Sequence, residues 1–252
     1  MTTLLASVAN LGEVKIACET DVGIIDLKNP ALGALGAWDY RDLVRAVHLV
    51  DGVKPVSATI GDLPMVPEYL CAAVTATAAT GVDFVKVGFF PDGSGGGDGW
   101  ACAEAIGNCD TGAARLVAVL FADQNPDFSL VEELATNGFF GVMLDTADKN
   151  GGSIRDYLED NLLAQFVETV MERGLFSGLA GSLTLDDVLP LLKLGPDCLG
   201  FRGALCGSES RQGNLDAHAL GGLVSVFQDW NTSSPSRATA TAGAQAAACS
   251  LS

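Results

Sequence analysis

Eight short apolar, β-prone runs recur along the chain, each separated from the next by a helical or loop segment. They are TLLASV (3–8), VGIIDLK (22–28), VKPVSATIG (53–61), DFVKVGFF (83–90), RLVAVLFA (115–122), GVMLDTA (141–147), SGLAGSL (177–183) and CLGFRGAL (198–205). The runs are continuous rather than alternating, as in a parallel sheet whose two faces are both covered by helices. Between them, the apolar positions 43, 44, 47 and 50 of 39–50 follow helical spacing. The segment 67–81 opens on Pro and closes on Gly, and 129–138 and 184–195 start on Ser or Thr with acids in the first turn and end at Gly. Residues 154–174 and 218–230 complete the helices. Eight strand-and-crossover units in 252 residues predict an α/β fold, a single (β/α)8 TIM barrel spanning residues 1–230. A doubly wound open sheet is the rival. Residues 231–252 are low in complexity, with Leu251 their sole large apolar residue, and read as a mobile or loosely packed tail.

A net charge of −17 repels nucleic acid and anionic lipid, so neither is an expected partner. No apolar run reaches the ~20 residues of a membrane span, and no secretory leader opens the chain, which makes a cytoplasmic location the expectation. Seven cysteines without CxxC or Cys/His spacing read as reduced thiols, and no metal or cofactor is expected. Two histidines, His48 and His218, both fall in predicted helices, which argues against histidine-based catalysis. The glycine-rich stretch 91–100 lacks a Walker ending and GxGxxG spacing, leaving an ordinary loop or a lid. A homo-oligomer is compatible with the sequence, which leaves the oligomeric state open.

Chemistry in a barrel of this kind sits at the C-terminal strand ends. The chain has only six lysines, yet Lys28 and Lys86 lie in or at the end of apolar strands, and Lys149 follows a third. Buried lysine is rare without a partner or a task. Asp26 precedes Lys28 by two positions, on the same side of the strand, Asp145 precedes Lys149 by four, and Asp62 follows the third strand. Crowded, desolvated lysines lose proton affinity, and a neutral amine can attack a carbonyl to form an imine that acidifies the adjacent carbon. A second amine or a carboxylate can then move the proton. After the last two strands, Gly181-Ser182 and Arg202-Gly203-Ala204 offer small-residue turns whose N–H groups can close around a phosphate. Residue chemistry thus points to a lysine-imine enzyme on a phosphorylated carbonyl compound, or to a non-catalytic barrel whose lysines merely hold phosphates.

Taken in order, DLKNP, SATIGDLP, FVKVGFF, MLDTADKNG, LAGSL and GFRGA resemble the (5-formylfuran-3-yl)methyl phosphate synthase family over most of residues 3–206. The resemblance implies a (β/α)8 barrel in methanofuran or methylofuran biosynthesis that condenses two glyceraldehyde 3-phosphates to a furan aldehyde phosphate, losing phosphate and water. It implies Lys28 as the imine-forming lysine and Lys86 as the proton acceptor. Asp26, Asp145 and Lys149 would support proton transfer and charge balance, and the Gly181-Ser182 and Gly203-Ala204 turns would hold phosphate. The implied partner is a small phosphorylated triose. Another lysine-imine aldolase on a phosphorylated sugar would share Lys28 but release a different product.

Overall fold

The computed structural model describes residues 1–90, 98–207 and 211–233. The chain runs β1 (Thr3–Val8), α1 (Leu11–Cys18), β2 (Ile24–Leu27), α2 (Tyr40–Val50), β3 (Val56–Thr59), α3 (Pro67–Ala78), β4 (Phe84–Phe89), α4 (Gly99–Gly107) and β5 (Arg115–Phe121). It continues with α5 (Leu130–Thr136), β6 (Gly141–Asp145), α6 (Ile154–Tyr157), α7 (Asp160–Glu172), β7 (Phe176–Leu179), α8 (Leu185–Leu194), β8 (Cys198–Phe201) and α9 (Ala217–Ser233). All strand pairs are parallel and follow chain order, and β1 closes on β8 through the register Thr3 to Cys198. The expected closed barrel is therefore observed, and the open-sheet rival is not.

Strand alternation divides the core in two. Leu5, Ile24, Phe84, Val117, Val119, Phe121, Met143 and Cys198 fill the interior of the barrel. Ala6, Val8, Ile25, Leu27, Val56, Ala58, Val85 and Val87 point outward into the layer beneath the helices. Both faces are buried, which is why the strands read as unbroken apolar runs. At the N-terminal end the Arg115 guanidinium lies 4.7 and 4.4 Å from the Phe84 and Phe140 ring centroids and caps the apolar floor.

Two helices escaped the sequence reading. The α1 helix starts at the Asn10 N-cap, whose side chain accepts from Glu13 N, and α4 starts at the Asp98 N-cap inside the stretch read as a loop. Small residues dominate α4, so its apolar period is weak. The glycine-rich residues 91–97, where a lid was one option, lie outside the described residues, as do residues 234–252 of the expected tail, whereas its first three residues, 231–233, continue α9.

The predicted helix over 154–174 is instead two. A capping box of Ser153 and Asp156 opens α6, Leu158 is extended at φ −126° and ψ 130°, and α7 restarts at Asp160. At 100° per residue, Leu163 would lie 9 × 100° = 900° from Ile154 on one continuous helix, on its opposite face. Both side chains are fully buried, so the helix must break between them. Ile154 N is fixed to Gly181 O at 3.0 Å, and Arg155 spans the break to Asp160 at 2.9 Å.

Candidate active site

The C-terminal strand ends surround a cavity of about 750 Å³. Its lining includes Lys28, Asp62, Lys86, Asp145, Lys149, Gly181, Ser182, Arg202, Gly203, Ala204 and Arg211. Five of the chain's 14 Lys and Arg residues thus reach one opening on an otherwise acidic protein.

Register builds the inner cluster. Asp26 on β2 stands opposite Ser7 on β1 and Ser57 on β3. Both hydroxyls donate to its carboxylate at 2.7 Å, and Lys86 Nζ on β4 donates to Oδ1 at 3.0 Å. Burial would raise the Asp26 pKa, but the charges of Lys86 and Lys28 and the two serine hydrogen bonds hold it below the usual carboxylate range. Asp26 thereby stays ionised and keeps Lys86 in a tight, fully enclosed pair.

Lys28 is held more loosely. Its Nζ lies 3.5 Å from Asp145 Oδ2, while Lys149 Nζ donates to Asp145 Oδ1. Thr146 N, at 2.8 Å, donates to the same oxygen. Burial opposes ionisation of Asp145, yet Lys149 and Lys28 together hold its pKa well down. One carboxylate must serve two ammonium groups, and Lys149 has the closer place. Burial, followed by repulsion from Lys149 and Lys86, pushes the Lys28 pKa down to about 8, against the attraction of Asp145. Lys149 is also lowered by burial, with Asp145 opposing. Among the three amines, Lys28 combines the longest ion pair with an already engaged partner.

Proximity in sequence suggested that Asp26 accompanies Lys28, and here the structure corrects the pairing. Residues two apart share a strand face but are separated by ~6.6 Å along it. Long side chains entering the barrel from non-adjacent strands meet in its interior, so Asp26 on β2 takes Lys86 on β4, and Lys28 after β2 takes Asp145 on β6. The Asp145–Lys149 association holds as expected. Asp62 lies apart from the lysines: its carboxylate accepts from Ala34 N at 2.8 Å and Leu35 N at 2.7 Å and fixes the loop after β2.

At the tip of β7, Gly181 has φ +108° and Ser182 φ +47°, the latter uncommon for a side-chain-bearing residue. A Cβ on Gly181 would meet Thr146 N at 3.0 Å, so this turn packs directly against the end of β6. None of the Gly181, Ser182, Gly203 and Ala204 N–H groups has a hydrogen-bond acceptor among the described residues. All four residues border the cavity.

Arg202 is placed differently from expectation. Its Nε donates to Arg211 O, Nη1 to Ser7 O and Glu13 Oε2, and Nη2 to Glu13 Oε1 and Gly213 O. All five guanidinium N–H groups are thereby used. Arg202 borders the cavity as a buried strut rather than as a free phosphate donor.

Comparisons with known proteins establish the family and the fold. The sequence profile of the family described as 4-HFC-P synthase matches residues 4–223. The chain belongs to the 4-HFC-P synthase family. It is 36% identical to the (5-formylfuran-3-yl)methyl phosphate synthase of Methanopyrus kandleri, over 89% of this chain and 98% of that protein. With the same-named protein of Methanococcus aeolicus it shares 33% identity over 89% of this chain and 99% of the other. A Methylorubrum extorquens protein whose assignment to that activity is provisional is 39% identical, over 89% of this chain and 91% of its own length. Among solved structures, 3-hexulose-6-phosphate synthase superposes with a TM-score of 0.59 at 16% identity, covering 88% of this chain and 99% of that one. Phosphoribosyl anthranilate isomerase from Thermus thermophilus gives 0.63 at 14%, covering 91% and 99%. At such identities these two show the shared barrel.

In this member of the family, sequence reasoning missed Glu13 and Arg211. Glu13 is buried on α1, accepts from Ala9 N at 2.7 Å and Leu215 N at 3.1 Å, and pairs with Arg202 across 189 positions. No periodicity announces such a contact; the one local signal is a glutamate inside a helix that is otherwise apolar toward the barrel. Glu13→Ala leaves the Arg202 charge buried and uncompensated, which costs about 3–5 kcal/mol of stability. Denaturant unfolding checks this, and a change below about 1 kcal/mol, the worth of an exposed ion pair, would show that solvent reaches the pair. Among the described residues, no helix is long and apolar enough to cross a membrane.

Proposed function

We propose that the chain is a Schiff-base-forming (5-formylfuran-3-yl)methyl phosphate synthase. Two glyceraldehyde 3-phosphates condense to one furan aldehyde phosphate with loss of one phosphate and two waters, supplying methanofuran-type cofactor assembly. The observation that carries this is the Lys28 amine, buried at the mouth of the barrel with its pKa lowered to about 8. A neutral amine attacks the triose carbonyl carbon, the resulting carbinolamine loses water, and the imine draws electrons from the neighbouring C–H bond.

The Lys86 amine is paired at 3.0 Å with the Asp26 carboxylate, which stays ionised. Lys86 first donates a proton to the departing hydroxyl and then, as a free amine, removes the proton acidified by the imine. Asp145 and Lys149 balance the charge that appears and disappears at Lys28. The four N–H groups at the ends of β7 and β8 that lack an acceptor among the described residues support a phosphate seat.

Incubation with glyceraldehyde 3-phosphate alone tests the assignment. The expected result is a growing near-ultraviolet absorbance of a conjugated furan aldehyde together with released phosphate. Phosphate-free aldol products without that chromophore would instead assign a different lysine aldolase. The pH dependence follows from Lys28, whose neutral form increases as pH rises. Borohydride trapping at limiting triose accelerates about tenfold per pH unit below an inflection near 8 and levels off above it. A flat profile between pH 6 and 9 would contradict a titrating amine nucleophile.

A further inference from the structure

Two phosphorylated substrates require two anion seats, and the turns after β7 and β8 account for one. We propose that Arg211 grips the phosphate of the second triose, and that the buried Glu13–Arg202 pair is built to hold Arg211 there. This deepens the proposed condensation and rests on it for the identity of the substrate.

Arg211 lies in the segment between β8 and α9 and borders the same cavity as Lys28. Among the described residues it makes no ion pair, and its guanidinium makes one long hydrogen bond, from Nη2 to Gly33 O at 3.4 Å. That contact carries the side chain over the mouth from the β8 side to the loop after β2. There it faces the carboxylates of Asp145 and Asp62, which favour its charge, while burial and the charge of Arg202 oppose it. A partly enclosed guanidinium with open donors is the group best suited to bidentate recognition of a phosphate.

Among the described residues around Arg211, the regular backbone pairing is a single antiparallel bridge between Cys206 and Leu215. In addition, Arg202 Nε holds Arg211 O at 2.9 Å and Arg202 Nη2 holds Gly213 O at 2.7 Å. Glu13 anchors Arg202 and also receives Leu215 N. Cys206 Sγ donates to Gly213 O at 3.3 Å. Thus the buried ion pair fixes Arg211 O, Gly213 O and Leu215 N, alongside the antiparallel bridge of Cys206 and Leu215, and with them where the Arg211 side chain starts. Arg211 is a substrate-binding residue here, whereas Arg202 and Glu13 are positioning residues.

The test compares wild type, Arg211→Ala, Arg211→Lys and Glu13→Gln in two measurements. In calorimetric titration with inorganic phosphate, Arg211→Ala should lose one of two phosphate equivalents or weaken it at least tenfold, with Arg211→Lys intermediate. In trapping at Lys28, Arg211→Ala should lower the preference for glyceraldehyde 3-phosphate over unphosphorylated glyceraldehyde 10- to 100-fold. Its trapping rate with glyceraldehyde itself should change by a much smaller factor. Glu13→Gln should shift the same preference in the same direction by a smaller factor, an effect that general loosening of the fold would not confine to the phosphorylated aldehyde. Unaltered phosphate stoichiometry and affinity in Arg211→Ala would overturn the proposal. The titration needs no imine, so failure of the Lys28 chemistry would appear separately, as absent trapping in the wild type.

Discussion

Replacing Lys28 with alanine abolishes turnover and the trappable adduct while leaving a folded barrel. The loss follows from chemistry: no other amine at the mouth combines a loosened ion pair with proximity to an already engaged carboxylate. Lys149 is occupied by Asp145 and Lys86 by Asp26, so neither is free to substitute. The retained fold follows from electrostatics. Three ammonium groups and two carboxylates are enclosed together, and Lys28 bears the mismatch as a pKa lowered from 10.5 to about 8, roughly 3 kcal/mol against its charged form. Alanine removes that penalty, leaves the Asp145–Lys149 pair intact, and opens space continuous with an existing cavity. Thermal melting should therefore place the variant at or above wild type near neutral pH.

Linkage gives a second signature. Because the folded pKa lies below the unfolded one, the folded state releases this proton first. Wild-type stability gains a contribution as pH rises from about 8 to 10.5, and Lys28→Ala lacks it. Turnover within tenfold of wild type in this variant would remove Lys28 from the chemistry.

Replacing Lys86 with alanine should lower turnover by about 10²–10⁴-fold, the usual worth of a positioned acid–base group. The imine should still form, because its amine is elsewhere. The diagnostic result is a borohydride adduct on Lys28 without furan aldehyde absorbance. This substitution also destabilises, since Asp26 is fully buried and its remaining partners, the Ser7 and Ser57 hydroxyls, are neutral. Breaking a buried pair from one side costs about 3–5 kcal/mol. The double variant Asp26→Asn with Lys86→Met leaves no unpaired charge and should recover most of that stability without recovering turnover. Separate recovery of fold and activity distinguishes a proton-transfer role from a structural one. An effect on turnover below tenfold would transfer the proton to Lys149 or an aspartate.

The barrel was legible because its strands are buried on both sides. Ile24-Ile25 and Val85-Lys86-Val87 alternate between the interior and the helical layer, yet both layers are dry, so the runs stand out as continuous. Lys28 and Lys86 were legible for the same reason, as charges where apolar residues belong. What stayed hidden was pairing across strands and across the chain. Asp26 sits two positions from Lys28, but inside the barrel it meets Lys86, which reaches it from β4 past the intervening β3. Arg202 looked like a phosphate ligand because it follows a strand with glycine beside it, and only the distant Glu13 reveals its structural task. The broken helix of 154–174 concealed itself because both halves are helical and apolar. The break lies in which face each half must bury, a property of the assembled barrel.

The central claim is covalent bonding between the Lys28 amine and a triose carbonyl. Mass spectrometry of the wild-type protein reduced with borohydride in the presence of glyceraldehyde 3-phosphate, with the modified peptide sequenced, measures it directly. A single triose-derived adduct on Lys28 is the predicted result. An unmodified protein, or an adduct carried by Lys86 or Lys149 with Lys28 untouched, would contradict it.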